Sequence, residues 1–124
     1  MMKSGLEIKN SPIHGRGVFA TVRIPGGTVV ERLEGKPQRY SKISPALLLR
    51  RGMEVSKDVY IVPPEGSVGW FLNHSGSPNC TYDISTREIR ATKNILPGKE
   101  LTIDYHETTT WPGYATMWKG GKPP

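Results

Sequence analysis

Three short stretches of this chain hold side chains that could do chemistry. In Gly15-Arg16-Gly17, two glycines flank one residue just ahead of Val18-Phe19-Ala20. Glycine leaves backbone N–H and C=O groups open to a ligand because no Cβ stands in the way. The same pair also suits any tight turn, and its spacing is not that of a dinucleotide fingerprint or a phosphate loop. In the second stretch, the apolar Trp70-Phe71-Leu72 runs into Asn73-His74-Ser75-Gly76-Ser77-Pro78-Asn79-Cys80. Asn73 and Asn79 have the amide groups needed to satisfy irregular backbone where two segments cross. The third, Gly98-Lys99-Glu100-Leu101-Thr102-Ile103-Asp104-Tyr105, reads as an amphipathic strand ending on a phenol.

Other chemistries find no footing. Cys80 is the one cysteine, so an internal disulfide and a multi-cysteine zinc site are excluded. The three histidines, His14, His74 and His106, lie far apart in sequence without metal-ligand spacing. There is no Gly-x-Ser-x-Gly, and Cys80 has no recognisable activating neighbour, so hydrolase readings fail.

The elements that must position these residues are short. Alternating patterns rich in Val, Ile, Thr and Tyr predict strands over 6–9, 18–21, 28–33, 59–62, 81–84, 88–92 and 101–105. Residues 83–89 read as a hairpin with a polar turn. One helix is expected, with Ser44 as N-cap, Pro45 at its first position, Ala46 to Arg51 continuing it, and Gly52 ending it in a left-handed conformation. A faint echo links Ala20-Thr21-Val22-Arg23-Ile24-Pro25-Gly26 with Ala91-Thr92-Lys93-Asn94-Ile95-Leu96-Pro97-Gly98. Each is expected to turn with Pro second and Gly, at positive φ, third.

Composition agrees with such a chain. Its 124 residues fit one domain, and 14 glycines and 11 prolines argue for tight turns over long helices. The longest apolar run, Ala46-Leu47-Leu48-Leu49, is far short of a membrane span, and the first residues lack a signal peptide's apolar stretch. An intracellular protein, cytoplasmic or nuclear, is therefore expected. The formal charge is +6, and all of the excess falls in residues 1–62, which hold 11 Lys+Arg against 5 Asp+Glu. Charge alone permits contact with nucleic acid, but it also serves simply to keep a small protein soluble.

Taken in order, the three stretches resemble the SET-domain protein lysine methyltransferases. Gly15-x-Gly17, Asn73-His74-Ser75-x-x-Pro78-Asn79 and Glu100-Leu101-Thr102-Ile103-Asp104-Tyr105 match that family's motifs, and the likeness runs from about Leu6 to Tyr105. The resemblance implies a mostly-β fold of several small curled sheets with a C-terminal pseudoknot and one short helix. Residues 1–108 would form the core, and 109–124 a flanking segment that completes the site.

The resemblance also implies roles. The methyl donor S-adenosylmethionine would lie against Gly15, Arg16 and Gly17, with Asn73 on its amino group and the His74 backbone on adenine. Tyr105 would be the catalytic residue, and Asp104 beside it a structural acceptor. Ile103, Tyr60 and Tyr114 are candidates for the lysine channel, and Trp111 for a donor contact. Tyr40 is, with Tyr60, a loose match to the family's Tyr-x-Gly. Gly76 stands where zinc-tailed members carry Cys, so no zinc is expected. The implied partner is a protein substrate bearing a lysine, histone-like or ribosomal, and a homodimer is plausible. Two alternatives stay open: a non-catalytic module binding nucleic acid or an acidic partner, and a small-molecule N-methyltransferase. The acidic residues Glu65, Asp83, Glu100, Asp104 and Glu107 are candidates for a negative groove facing a basic substrate.

Overall fold

The computed structural model describes residues 5–110. Among the described residues, ten strands form three small sheets. The first contains β1 (Leu6–Asn10), β2 (Arg16–Ala20), β10 (Glu100–Ile103) and β7 (Asn73–His74), in that order. The second places β9 (Glu88–Ala91) between β3 (Val29–Arg32) and β8 (Cys80–Asp83). The third places β6 (Val59–Ile61) between β4 (Gln38–Arg39) and β5 (Met53–Ser56). One core joins them, with Val18, Leu101, Ile103, Ile89, Ile95 and Tyr82 among its buried members. Chains with so many turns bury apolar surface by stacking several small sheets, since no single element is long enough to cover a core.

The helix forms as its signals dictate. α1 (Pro45–Arg51) starts with the Ser44 hydroxyl accepting from the Leu47 N–H at 3.3 Å. Its end differs from expectation, because Gly52 is extended, with φ −66° and ψ 136°. Glycine is needed there for a different reason: a Cβ would stand 2.6 Å from the Leu48 carbonyl oxygen. A second helix, α2 (Val68–Phe71), has only 4 residues, too few for a periodic signal. Glu31 holds its start by accepting from the Val68 and Gly69 N–H groups at 3.1 and 2.9 Å.

The internal echo proves to be a local two-fold. Ile24 and Ile95 exchange N–H···O bonds, both 2.8 Å. Ala20 bonds Lys99 and Gly98 just as Ala91 bonds Thr28 and Gly27, all at 2.7–2.9 Å. The second turn is as expected, with Pro97 second and Gly98 third at φ +87°. The first is shifted by one residue. Its closing bond runs from Thr28 N–H to Pro25 C=O, so Pro25 is first and Gly27, at φ +90°, is third.

The two motif-bearing segments cross next to this two-fold. β10 pairs antiparallel with β2 and parallel with β7, through Thr102–Asn73 and Ile103–His74. Asn79 fastens the crossing with one side-chain amide: Nδ2 donates to Glu100 C=O at 2.8 Å and Oδ1 accepts from Thr102 N–H at 2.9 Å. The side chain thus stands in for a missing strand. β10 ends at Ile103, two residues before the expected boundary. Asp104 then caps a 3-10 turn, Tyr105–Thr108, by accepting from the His106 N–H at 3.0 Å.

Candidate active site

The Gly15-Arg16-Gly17 stretch carries two different demands. Gly15 sits at φ +48°, with open space where its Cβ would project. Gly17 has an ordinary φ, but a Cβ there would meet Glu100 Oε2 at 2.2 Å. Glu100 lies against this strand because it accepts from the Ser11 hydroxyl at 2.8 and 2.9 Å and from Asn73 Nδ2 at 2.9 Å. Asn73 is buried, and the same Nδ2 also faces the carbonyls of His14 and Arg16 at 3.0 and 3.3 Å. Its Oδ1 accepts no bond from the described residues, which leaves an acceptor at the glycine loop for a ligand's N–H. Arg16 itself enters through its backbone carbonyl.

Tyr105 is 5% exposed and donates its hydroxyl hydrogen to the Leu72 carbonyl at 2.6 Å. Its own backbone N–H donates to His74 Nδ1 at 3.0 Å, so two consecutive motif segments orient the ring. Burial pushes the phenol's pKa up, against the opposing charges of Arg50 and Arg51, so the hydroxyl is neutral at physiological pH. Burial likewise lowers the pKa of His74, opposed by Asp104. Asp104 resists burial through the hydrogen bonds it accepts from His106, and its pKa falls below the usual value, as suits a fixed structural acceptor.

His74, Asp104 and His106 each bring a ligand atom within 4.8 Å of the others, a trio the cysteine argument against zinc does not cover. Two of those atoms already serve the fold. His74 Nδ1 accepts from Tyr105, and Asp104 Oδ1 bonds His106 Nδ1 at 2.9 Å.

Tyr105 stands beside a small cavity whose walls include Leu72, Ile103, Thr108, Arg50 and Arg51. Leu49 and Gly52 line both this cavity and a larger, mostly apolar groove of about 470 Å³. The groove runs past Tyr40, Ile43, Leu48, Asp58 and Tyr60. Ile103 and Tyr60 are therefore brought to one region, whereas Trp111 and Tyr114 lie outside the described residues. The expected acidic lining is corrected. Of the five candidates none lines the groove; Glu100 turns inward, Asp104 caps a turn and Asp83 holds its own hairpin through Ser85.

Sequence reasoning missed two anchors. Glu54 is buried in β5 and accepts from the Tyr60 hydroxyl at 3.2 Å and from the Thr110 N–H and hydroxyl at 2.8 and 2.9 Å. Arg50 donates to His14 Nδ1 at 2.5 Å, and its guanidinium carbon lies 5.9 Å from the Tyr105 ring centre. A carboxylate or guanidinium with no motif around it gives no signal in one sequence.

A mostly-β fold of small sheets, with a glycine loop, a buried amide and a buried phenol joined at a crossing of two segments, defines a SET-type architecture. The SET domain family matches residues 15–106, and the chain belongs to that family. It is similar to the H3 lysine-4 specific histone-lysine N-methyltransferase of Schizosaccharomyces pombe, 30% identical over 83% of this chain and 13% of that protein. It is also similar to histone-lysine N-methyltransferase 2B of Homo sapiens, 30% identical over 83% of this chain and 4% of that protein. The chain thus spans 13% or less of these curated relatives. Among solved structures, KRYPTONITE in complex with mCHH DNA, H3(1-15) peptide and SAH superposes with TM-score 0.65 and 27% identity, over 85% of this chain and 24% of that one. A Plasmodium falciparum structure with TM-score 0.65 and 22% identity shows the same fold over 86% of this chain and 99% of that one. Among the described residues, no helix is long and apolar enough to cross a membrane.

Proposed function

We propose that this chain is a protein-lysine N-methyltransferase that takes its methyl group from S-adenosylmethionine. The observation that carries the reading is the buried Tyr105 hydroxyl, bonded to the Leu72 carbonyl just before Asn73 and set in a cavity that shares Leu49 and Gly52 with the apolar groove. The loop suits a donor with an amino-acid end: Gly15 leaves open space, and Asn73 Oδ1 is ready to accept from an amino group. The groove suits a peptide segment, with Tyr60 and Ile103 lining the path of its lysine. Solved relatives support both halves, since the KRYPTONITE complex contains SAH and an H3 peptide.

When bound, the donor supplies a methyl group on a sulfonium, and its transfer leaves a neutral thioether. The protein must deliver a neutral amine. At pH 7 a lysine of pKa about 10.4 needs about 4.6 kcal/mol to shed its proton. A cavity walled by Leu49, Met53, Leu72 and Ile103, with two guanidiniums beside it, disfavours the ammonium and reduces that cost. Tyr105 is not a base, because its own hydrogen is committed to Leu72. Its oxygen lone pairs accept an N–H of the lysine amine and aim the nitrogen lone pair along the line of attack, and such orientation is worth several kcal/mol. Glu54 fastens Thr109 and Thr110 to β5, at the start of the flanking segment proposed over 109–124 beside a core over 1–108.

The test is Tyr105→Phe, assayed for methyl transfer to candidate proteins with mass-spectrometric mapping of the modified lysine. Turnover should fall at least about 100-fold while S-adenosylmethionine binding, read by calorimetry, is retained. Unchanged turnover removes Tyr105 from the reaction.

A further inference from the structure

His74 and His106 lie far apart in sequence, and the crossing of β7 and β10 removes that distance. β7 runs parallel to β10 with His74 beside Ile103, which sets the His74 ring against the turn that follows the strand. On that turn Asp104 Oδ1 accepts from the backbone N–H of His106 at 3.0 Å and lies 2.9 Å from His106 Nδ1. Carboxylate and ring are thus drawn together by local backbone. Asp104 Oδ1 is also 3.7 Å from His74 Nδ1, and the three ligand atoms all lie within 4.8 Å of one another. Ligand atoms held tetrahedrally at about 2.0–2.2 Å from one ion stand roughly 3.3–3.6 Å apart. The two distances to Asp104 bracket that spacing, and the His106 side chain, 40% exposed, has room to swing and complete it.

Two imidazoles and one carboxylate suit Zn2+, Co2+, Ni2+ or Cu2+, whereas Mg2+ and Ca2+ take oxygen ligands. Water would fill the fourth position. The set uses no cysteine, so it is separate from any zinc held by Cys, for which Gly76 and the lone buried Cys80 leave no ligands. Occupation has a consequence for Tyr105. His74 Nδ1 has one lone pair, and it accepts the Tyr105 backbone N–H at 3.0 Å. An ion on that nitrogen takes the lone pair, and Tyr105 loses a bond that orients it. We infer that His74, Asp104 and His106 form a site for an ion of the Zn2+ class, and that the bound ion switches the chain off by releasing Tyr105. The switch rests on the methyl-transfer reading above; the site itself does not.

The untagged chain is titrated with Co2+, whose visible absorption reports four- or five-coordination, and then with Zn2+ as competitor. Wild type should bind about one Co2+ per chain below about 100 μM, and Zn2+ should displace it. His106→Gln alters the exposed member of the trio, should fold as wild type by circular dichroism, and should weaken Co2+ binding at least about 10-fold. In the methyl-transfer assay, Zn2+ at its binding concentration should lower wild-type kcat at least about 10-fold, as misplacement of a positioning group does. Chelation should restore it, and His106→Gln should keep its turnover with or without Zn2+. No Co2+ absorption in wild type, or undiminished absorption in His106→Gln, overturns the site. Absorption with unchanged kcat overturns the switch. Absence of turnover in metal-free wild type overturns the methyl-transfer reading and the switch with it, while the Co2+ titration still decides the site.

Discussion

At the scale of single residues, one hydrogen bond links the fold's chemistry to pH. Tyr105 is oriented through its N–H to His74 Nδ1, which must carry a lone pair to accept it. Burial lowers that ring's pKa below 6.5 in the folded protein, with His106 adding to the effect and Asp104 opposing it. Because the folded value is the lower one, this contribution to stability is full above the unfolded pKa of about 6.5 and is lost as pH falls below it. Thermal denaturation should therefore show the melting temperature dropping between pH 7 and pH 5. His74→Asn, whose Oδ1 can accept the same N–H without titrating, should flatten part of that slope. His14, also lowered, first by the charge of Arg50, leaves a residual slope in the variant. A slope unchanged by His74→Asn removes this coupling. Cys80 takes no part, since burial drives its thiol pKa to about 12 and leaves it without reactive thiolate.

At the scale of elements, the crossing of β7 and β10 depends on a side chain more than on strand length. β7 has 2 residues, too few to hold a parallel neighbour by backbone pairing alone. Asn79 supplies one donor and one acceptor to β10, and truncating it leaves Glu100 C=O and Thr102 N–H unmatched in partly buried surroundings. Asn79→Ala should cost about 2–4 kcal/mol, read from urea denaturation, because each orphaned group costs roughly 1–3 kcal/mol. Asn79→Asp should rescue little, since it can accept from Thr102 but not donate to Glu100. A loss below about 0.5 kcal/mol would mean that water replaces both bonds. The longer strands were legible because their alternation with Val, Ile, Thr and Tyr matches a half-buried sheet. β4 and β7 are too short to alternate, and β5 hides a buried Glu54 where the pattern asks for an apolar residue. The site's motif residues were legible as an ordered set. Arg50–His14, Glu54–Thr110 and Ser11–Glu100 were not, because these pairs are 36, 56 and 89 residues apart and follow no periodicity.

At the scale of the whole molecule, charge and groove point in different directions. The chain is +6, yet the groove is lined mainly by apolar and aromatic side chains, with Asp58 as its one acidic member. On the proposed reading, a basic peptide approaching from solution would be repelled at long range and gain little from opposite charge on arrival, so recognition would fall to Tyr40, Ile43, Leu48 and Tyr60. Salt distinguishes this from a groove built for basic tails. The screening length shrinks from roughly 20 Å at 20 mM salt to about 7 Å at 200 mM, so long-range repulsion fades while close apolar contacts persist. kcat/KM for a lysine peptide with basic flanks should then rise severalfold across that range. A peptide with the same target lysine and uncharged flanks should change little. The opposite trend, a steep fall with salt for the basic peptide, would mean that an acidic surface guides it and that the apolar groove is not the main determinant. Nucleic acid serves as the control partner: its affinity for a +6 chain should fall with salt, by the release of condensed counterions. The two trends, measured on one preparation, separate the substrate groove from the basic half as the part of the molecule that meets a partner first.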